Sequence, residues 1–251
     1  MTVDQKLFEL ALEKGAAGRR LDRAEALELA AVITPDRLHA MGRAALANRR
    51  RRHGNDATYG FNIHINPANI CGAGCTFCNY AASRKAPHAY VLSEDEIFAR
   101  LDQLNPTEAH IVGGLNQVWP YQRNLALVRA LRNRYPGLHI KGYTAVEVAY
   151  FAETSGKREQ QVLEELIEAG VNALPGGGAE IFSERLYRQH WKNKIGPVEW
   201  IRIHQLAHRL GLTTNATMLF GFGDTWAERI EHLLTLREAQ DGTNGFTCFI
   251  P

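Results

Sequence analysis

The 251 residues contain only four cysteines, too few and too unevenly placed for a disulfide framework. The opening stretch MTVDQKLFELALEKGAAGRR is charged throughout and lacks the continuous apolar core of a secretory leader. No run approaches the eighteen or so apolar residues of a membrane span. With reduced thiols, these features set the expectation of a cytoplasmic chain that does not engage a membrane. Neither sign of charge is in excess: 29 Lys and Arg stand against 27 Asp and Glu, which speaks against a nucleic-acid partner or an anionic membrane surface. One dense basic run, Arg49 to Arg52 followed by His53, ends a helical stretch where cations complement the helix dipole. It reads as a solvated helix end, not a phosphate-binding patch.

What is present is length, an apolar fraction of 45% and a repeated pattern, enough for one large core. The first sixty residues predict helices at 5–14, 23–32 behind an Asp22 cap, and 35–52 opening on proline. Six short β-rich runs then alternate with amphipathic helices: FNIHI, EAHIVGG, LHIKGYT, VNALPGG, LTTNATM and GFTCFIP. Helices are predicted between them at 94–104, 121–135, 159–168, 198–210 and 226–237. Such units give parallel strands with crossover helices, so the expected class is α/β and the expected fold a (β/α) barrel, full or partial, with an N-terminal helical extension over 1–56 and the barrel over 57–251. A flat doubly wound sheet is the alternative.

Within FNIHI and the residue after it, Asn62, His64 and Asn66 share one parity and Phe61, Ile63 and Ile65 the other. His139, Lys141 and Tyr143 share a parity in the third run, with Thr144 on the other; Thr213, Asn215 and Thr217 share one in the fifth. An ordinary barrel interior is filled with branched aliphatics. The accumulation of polar residues predicts a wet lumen that takes a small-molecule substrate, with His64, Lys141 and Asn215 as candidate catalytic contacts.

Three of the four cysteines sit within NICGAGCTFC, as Cys71, Cys75 and Cys78. A structural zinc site would need a fourth ligand such as His88 or His64. An ordinary electron-transfer cluster would need a fourth cysteine, and Cys248, in a strand-like run, reads as a core thiol. Three thiolates with an open fourth position suit an iron–sulfur cluster whose last iron takes a ligand that is not protein. The interleaved Gly72 and Gly74 let the backbone close around it. His190, Trp191, His204 and His208 read as packing or surface residues.

The C-x3-C-x2-C spacing, with Phe77 before the last cysteine, resembles the signature of the radical S-adenosylmethionine superfamily. The runs NPANICGAGCTFC, TEAHIVGGLN, HIKGYTAVEV, LPGGGAEIF, AHRLGLTTNATMLFG and LREAQDGTNGFTCFIP together resemble the aminofutalosine synthases of the futalosine route to menaquinone. That resemblance implies a [4Fe-4S] cluster on Cys71, Cys75 and Cys78, with S-adenosylmethionine as cosubstrate. It also implies Phe77, Gly113, Gly114, Thr144, Glu147 and Glu180 as residues around that cosubstrate, Glu180 additionally facing the substrate. The implied reaction is addition of a 5′-deoxyadenosyl radical to 3-[(1-carboxyvinyl)oxy]benzoate, fed by a reducing donor of the flavodoxin or ferredoxin type. The dehypoxanthine futalosine cyclase and the tyrosine-using subunit of deazaflavin synthase are related alternatives. Relatives continue beyond the sixth strand, so a C-terminally truncated barrel is expected. Where the family usually reads GHIET this chain has GFGDT, with Phe222 and Asp224; it also has Leu186-Tyr187, Ala68 and Asn116 at positions where other residues are common. All fall near strand ends, where they bear on substrate choice and not on the cluster.

Overall fold

Six short strands pair in the order of the chain: β1 (Asn62–Ile65), β2 (Glu108–Ile111), β3 (His139–Gly142), β4 (Ala173–Leu174), β5 (Thr213–Thr217) and β6 (Phe246–Ile250). Every neighbouring pair is parallel. This computed structural model describes residues 3–251. The helices are α1 (Val3–Ala16), α2 (Arg23–Ala31), α3 (Pro35–His53), α4 (Glu94–Leu104), α5 (Tyr121–Arg134), α6 (Ala145–Ser155), α7 (Glu159–Ala169), α8 (Glu184–Leu186), α9 (Pro197–Arg209) and α10 (Trp226–Thr243); α8 runs into a π-helical turn, Tyr187–Trp191. Parallel neighbours need crossovers, and helices supply them after every strand from β1 to β5. The strand order never reverses, so there is no switch point of the doubly wound kind; the fold is the open six-stranded (β/α) barrel.

The chain divides into two compact units, Met1–Tyr59 with Gly223–Thr235, and Gly60–Phe222 with Leu236–Pro251. In the first, Asp22 and Glu25 form a reciprocal cap that starts α2, and Glu25, 2% exposed, pairs with Lys14. Arg37 bonds Glu28 at 2.7 Å and lies 3.8 Å over the Phe8 ring. The basic end of α3 is exposed, and Arg49 bonds the carbonyls of Gly54 and Asp56, so the solvated helix end expected there is what forms.

In the second unit the strand alternation sorts two faces. Ile65, Ala109, Ile111 and Ile140 are almost wholly buried, with Leu125, Leu127, Leu131, Leu163 and Leu166 of α5 and α7 in the same core. The opposite parity carries His64, Glu108, His110 and Lys141, none of them buried.

Three expectations need correction. Helix α6 was not anticipated, because AVEVAYFAETS is apolar on most of its surface and shows little amphipathic contrast; its Thr144–Glu147 cap is the signal that marks its start. The alternation predicted through Tyr143 stops with β3 at Gly142. Tyr143 turns into the core against Phe151, fully buried. Cys248 is exposed and not a core thiol, since β6 is an edge strand with a single partner.

Candidate active site

A cavity of about 250 Å³ opens at the carboxyl ends of the first four strands. Each contributes the residues just past its end: Asn66 and the cysteine loop after β1, Val112 to Leu115 after β2, Thr144 and Glu147 at the start of α6, and Gly177, Gly178 and Glu180 after β4. All three thiols of the sequence motif line it, as do Phe77 and Lys194. A larger cleft of about 440 Å³, among Asn116, Tyr121, Tyr150 and Lys157, contains no thiol.

The cysteine loop is fixed on several sides. Gly72 donates to the Leu115 carbonyl at 2.9 Å, Ala82 to Asn69 at 2.8 Å, and Thr76 to the His190 carbonyl at 3.1 Å. Asn193 donates to Ala73 at 3.1 Å. Behind the loop, Phe77 meets Trp191 at 5.8 Å and Phe222 at 5.2 Å between ring centroids, over a small core of Ile181, Leu186 and Trp191. Three of the positions that depart from the family pattern, Leu186, Tyr187 and Phe222, thus pack behind the thiols. Tyr187 donates to the Lys194 carbonyl at 2.8 Å. Gly114, at φ +67°, leaves room that a side chain would take: a Cβ there would stand 2.8 Å from the Cys71 Sγ.

The second strand end is held by a carboxylate. One oxygen of Glu147 accepts from the amides of Gly113 and Gly114, at 2.6 and 3.1 Å; the other accepts from the Thr144 amide and hydroxyl, at 2.8 and 2.7 Å. Glu147 is 1% exposed, and that burial pushes its carboxyl up despite the four donors. Glu180, at φ +47°, pairs with Lys194, and both side chains are largely buried. Lys194 also lies 5.7 Å over the Phe77 ring. Burial pushes the Cys75 thiol up, with the Lys194 charge acting in the opposite direction.

The candidate residues therefore divide. Cys71, Cys75, Cys78, Phe77, Gly113, Gly114, Thr144, Glu147 and Glu180 line one cavity. His64 and Lys141 lie deeper on the same face of the sheet. Asn215 lies away from the cavity lining, buried, with its Oδ1 accepting from Thr247 at 3.2 Å. His204 and His208 pack between α9 and β5, where both accept or share the Thr214 hydroxyl at 2.9 and 2.8 Å. Lys194 was missed by sequence reasoning because it sits in the irregular stretch KNKIG, which has no periodicity. Glu108 and His110 were also missed, though their alternation with Ala109 and Ile111 in EAHI repeats that of NIHI.

Cys71, Cys75 and Cys78 are the donors in this cavity that could hold an iron–sulfur cluster, and Gly114 leaves space beside the Cys71 Sγ. Among the described residues no three His, Cys, Asp or Glu side chains are grouped around one ion centre.

Comparison with known proteins gives the family and the fold. Residues 65–236 match the Radical SAM superfamily, and the chain belongs to that superfamily. It is 39% identical over 251 residues to an aminodeoxyfutalosine synthase of Thermus thermophilus, across 99% of this chain and 66% of that protein. It is 35% identical over 247 residues to a cyclic dehypoxanthine futalosine synthase of Streptomyces coelicolor, across 96% of this chain and 61% of that protein. The crystal structure of methylornithine synthase (PylB) superposes with a TM-score of 0.72 at 20% identity, over 91% of this chain and 64% of that one, a likeness of fold alone. The chain spans under two thirds of the length of each of these proteins.

Proposed function

We propose that this chain is a radical S-adenosylmethionine transferase that joins the adenosyl group to 3-[(1-carboxyvinyl)oxy]benzoate, with loss of carbon dioxide, to form aminodeoxyfutalosine for menaquinone synthesis. The observation that carries the reading is the convergence of three thiols, the paired glycines and two buried carboxylates on one cavity at four strand ends. The similarity to the aminodeoxyfutalosine synthase supports the choice of substrate.

Cys71, Cys75 and Cys78 would hold a [4Fe-4S] cluster, which together with S-adenosylmethionine would supply one-electron reduction and a 5′-deoxyadenosyl radical. The protein's part is to position, to desolvate and to exclude hydrogen donors. Glu147 fixes the Gly113–Gly114 backbone at the cavity wall, and so keeps the small residues there in register with Cys71. Glu180 and Lys194 put a neutralised ion pair beside the thiols, where polar groups of a cosubstrate can exchange partners with it. Phe77, Trp191 and Phe222 pack ring against ring behind the cysteine loop and brace it. The electron enters from a flavodoxin or ferredoxin type donor, in the cytoplasm.

Anaerobic reconstitution with iron and sulfide, then addition of S-adenosylmethionine, dithionite and the carboxyvinyloxybenzoate, tests this by mass spectrometry. An adenosylated, decarboxylated product is expected. Release of 5′-deoxyadenosine alone would keep the radical chemistry and overturn the substrate; a purified chain that holds zinc and forms no cluster would overturn both.

A further inference from the structure

The polar face of the sheet carries a second group of titratable residues below the cavity. In the strand register His64, His110 and Lys141 lie side by side across β1, β2 and β3, and Asn62, Glu108 and His139 form the next row toward the amino ends. Asn66 and Val112, which line the thiol cavity, share the parity of His64 and His110 and lie two residues farther along. The group is therefore about 7 Å below the cavity along the strands. The His64 and His110 rings stand 5.0 Å apart, edge to face. Glu108 is in contact with the His110 Nε2, holds the Lys141 Nζ at 3.1 Å, and lies 3.6 Å from the His139 Nε2. The His110, Lys141 and Glu108 side chains keep 15, 13 and 22% of their surface accessible, so the group is reached by solvent.

These residues are more than the core needs. His110, His139 and Lys141 gather here around the Glu108 carboxylate, and His64 stands against the His110 ring. The charges cancel without a ligand: Glu108 against Lys141, with His110 driven toward neutrality because burial pushes its imidazole below the usual histidine range. The charged and titratable groups facing His110 are Glu108 on its own strand, His64 on β1 and Lys141 on β3. A site of this kind has no free positive charge to offer an anion, but it has a lysine already held by a carboxylate and an imidazole able to take a proton.

We propose that His64, His110 and Lys141 form a carboxylate-binding floor to the thiol-lined cavity, at which an aryl carboxylate shares Lys141 with Glu108 and is bound together with one proton. The incoming carboxylate adds a second negative charge beside His110. The imidazole then takes its proton from solvent; no other bond is made or broken. Charge neutrality is kept: two carboxylates face one ammonium and one imidazolium. The inference rests on the proposed reading only in that an acidic substrate enters this cavity.

Isothermal titration at pH 7.5 of the reconstituted chain with 3-[(1-carboxyvinyl)oxy]benzoate, and separately with benzoate, in phosphate and in Tris, measures the proton directly from the difference in buffer heats. Uptake of about one proton is expected. His110→Gln should abolish the uptake and weaken binding about tenfold, the size of a lost charge-assisted hydrogen bond. Glu108→Gln should do the reverse and tighten binding several-fold by freeing Lys141; opposite signs in two neighbouring variants are not the mark of a misfolded protein. Binding of the carboxyvinyloxybenzoate with no proton uptake and no change in either variant would overturn the floor and leave the proposed reaction standing. Binding of benzoate alone, with uptake that His110→Gln removes, would keep the floor and overturn the proposed substrate. Failure of either carboxylate to bind would overturn both.

Discussion

The Glu147 carboxylate and the Gly113 amide meet at 2.6 Å across 34 residues of chain. This one contact ties the end of β2 to the cap of α6, and it places the glycine pair against the cysteine loop. Glu147→Gln keeps one carbonyl oxygen but turns an amide toward donors that need an acceptor. The expected cost is about 2–3 kcal/mol of stability, the penalty for buried donors left unpaired, read from urea unfolding. A neutral result would show that solvent reaches these amides.

Gly114→Ala tests the room beside Cys71. The substitution needs both a positive φ and a Cβ 2.8 Å from the sulfur. We expect a loss of about 1–3 kcal/mol and iron retention below that of the parent chain after reconstitution, by metal and sulfide assay. Gly137→Ala, with nothing within 4 Å of its Cβ, is the matched control and should retain iron fully.

Lys194→Met leaves Glu180 buried and unpaired, which costs about 3–5 kcal/mol for a pair of this kind. Adding Glu180→Gln should recover much of it. The double-mutant cycle, read from denaturant midpoints, is the measurement, and additivity would show that the two side chains do not act as a pair.

Trp191→Ala removes the ring against which Phe77 packs. Truncation of a core tryptophan costs about 3–5 kcal/mol. Because the ring backs the cysteine loop, oxygen bleaching of the reconstituted chromophore should also quicken, which a remote core truncation such as Leu131→Ala should not cause.

His204 and His208 set a pH dependence. Burial pushes the His204 imidazole well below the usual range and His208 to about 4. A base whose folded pKa is depressed gives stability that is complete above its unfolded value, near 6.5, and lost as pH falls toward the folded one. Melting temperature should hold above pH 7 and drop between pH 6.5 and 4. With allowance for screening of the half-buried His208, the loss at pH 5 is on the order of 1–2 kcal/mol. His204→Phe should flatten that slope.

The sequence by itself determined the fold class and the chemical heart of the site. Three thiols in eight residues, small residues between them, and six alternating strand and helix patterns are local facts, and a parallel sheet in chain order follows from them. Asp22 and Pro35 announced their helices because a helix start is written in a few consecutive residues. The same alternation that exposed His64 was present at Glu108 and His110, so those two were legible though overlooked. Other features depended on distance along the chain. Lys194 reaches Glu180 through an irregular loop; Phe222 meets Phe77 across more than half the sequence; Glu147 spends its carboxylate on backbone amides that no side-chain pattern reveals. Tyr143 turned inward because β3 had ended, and Cys248 stayed exposed because β6 has one neighbour. Periodicity reports the face on which a residue lies within its own element. Which elements meet, and where an element stops, is decided by packing and by backbone groups that must find partners, and only the tertiary structure records those choices.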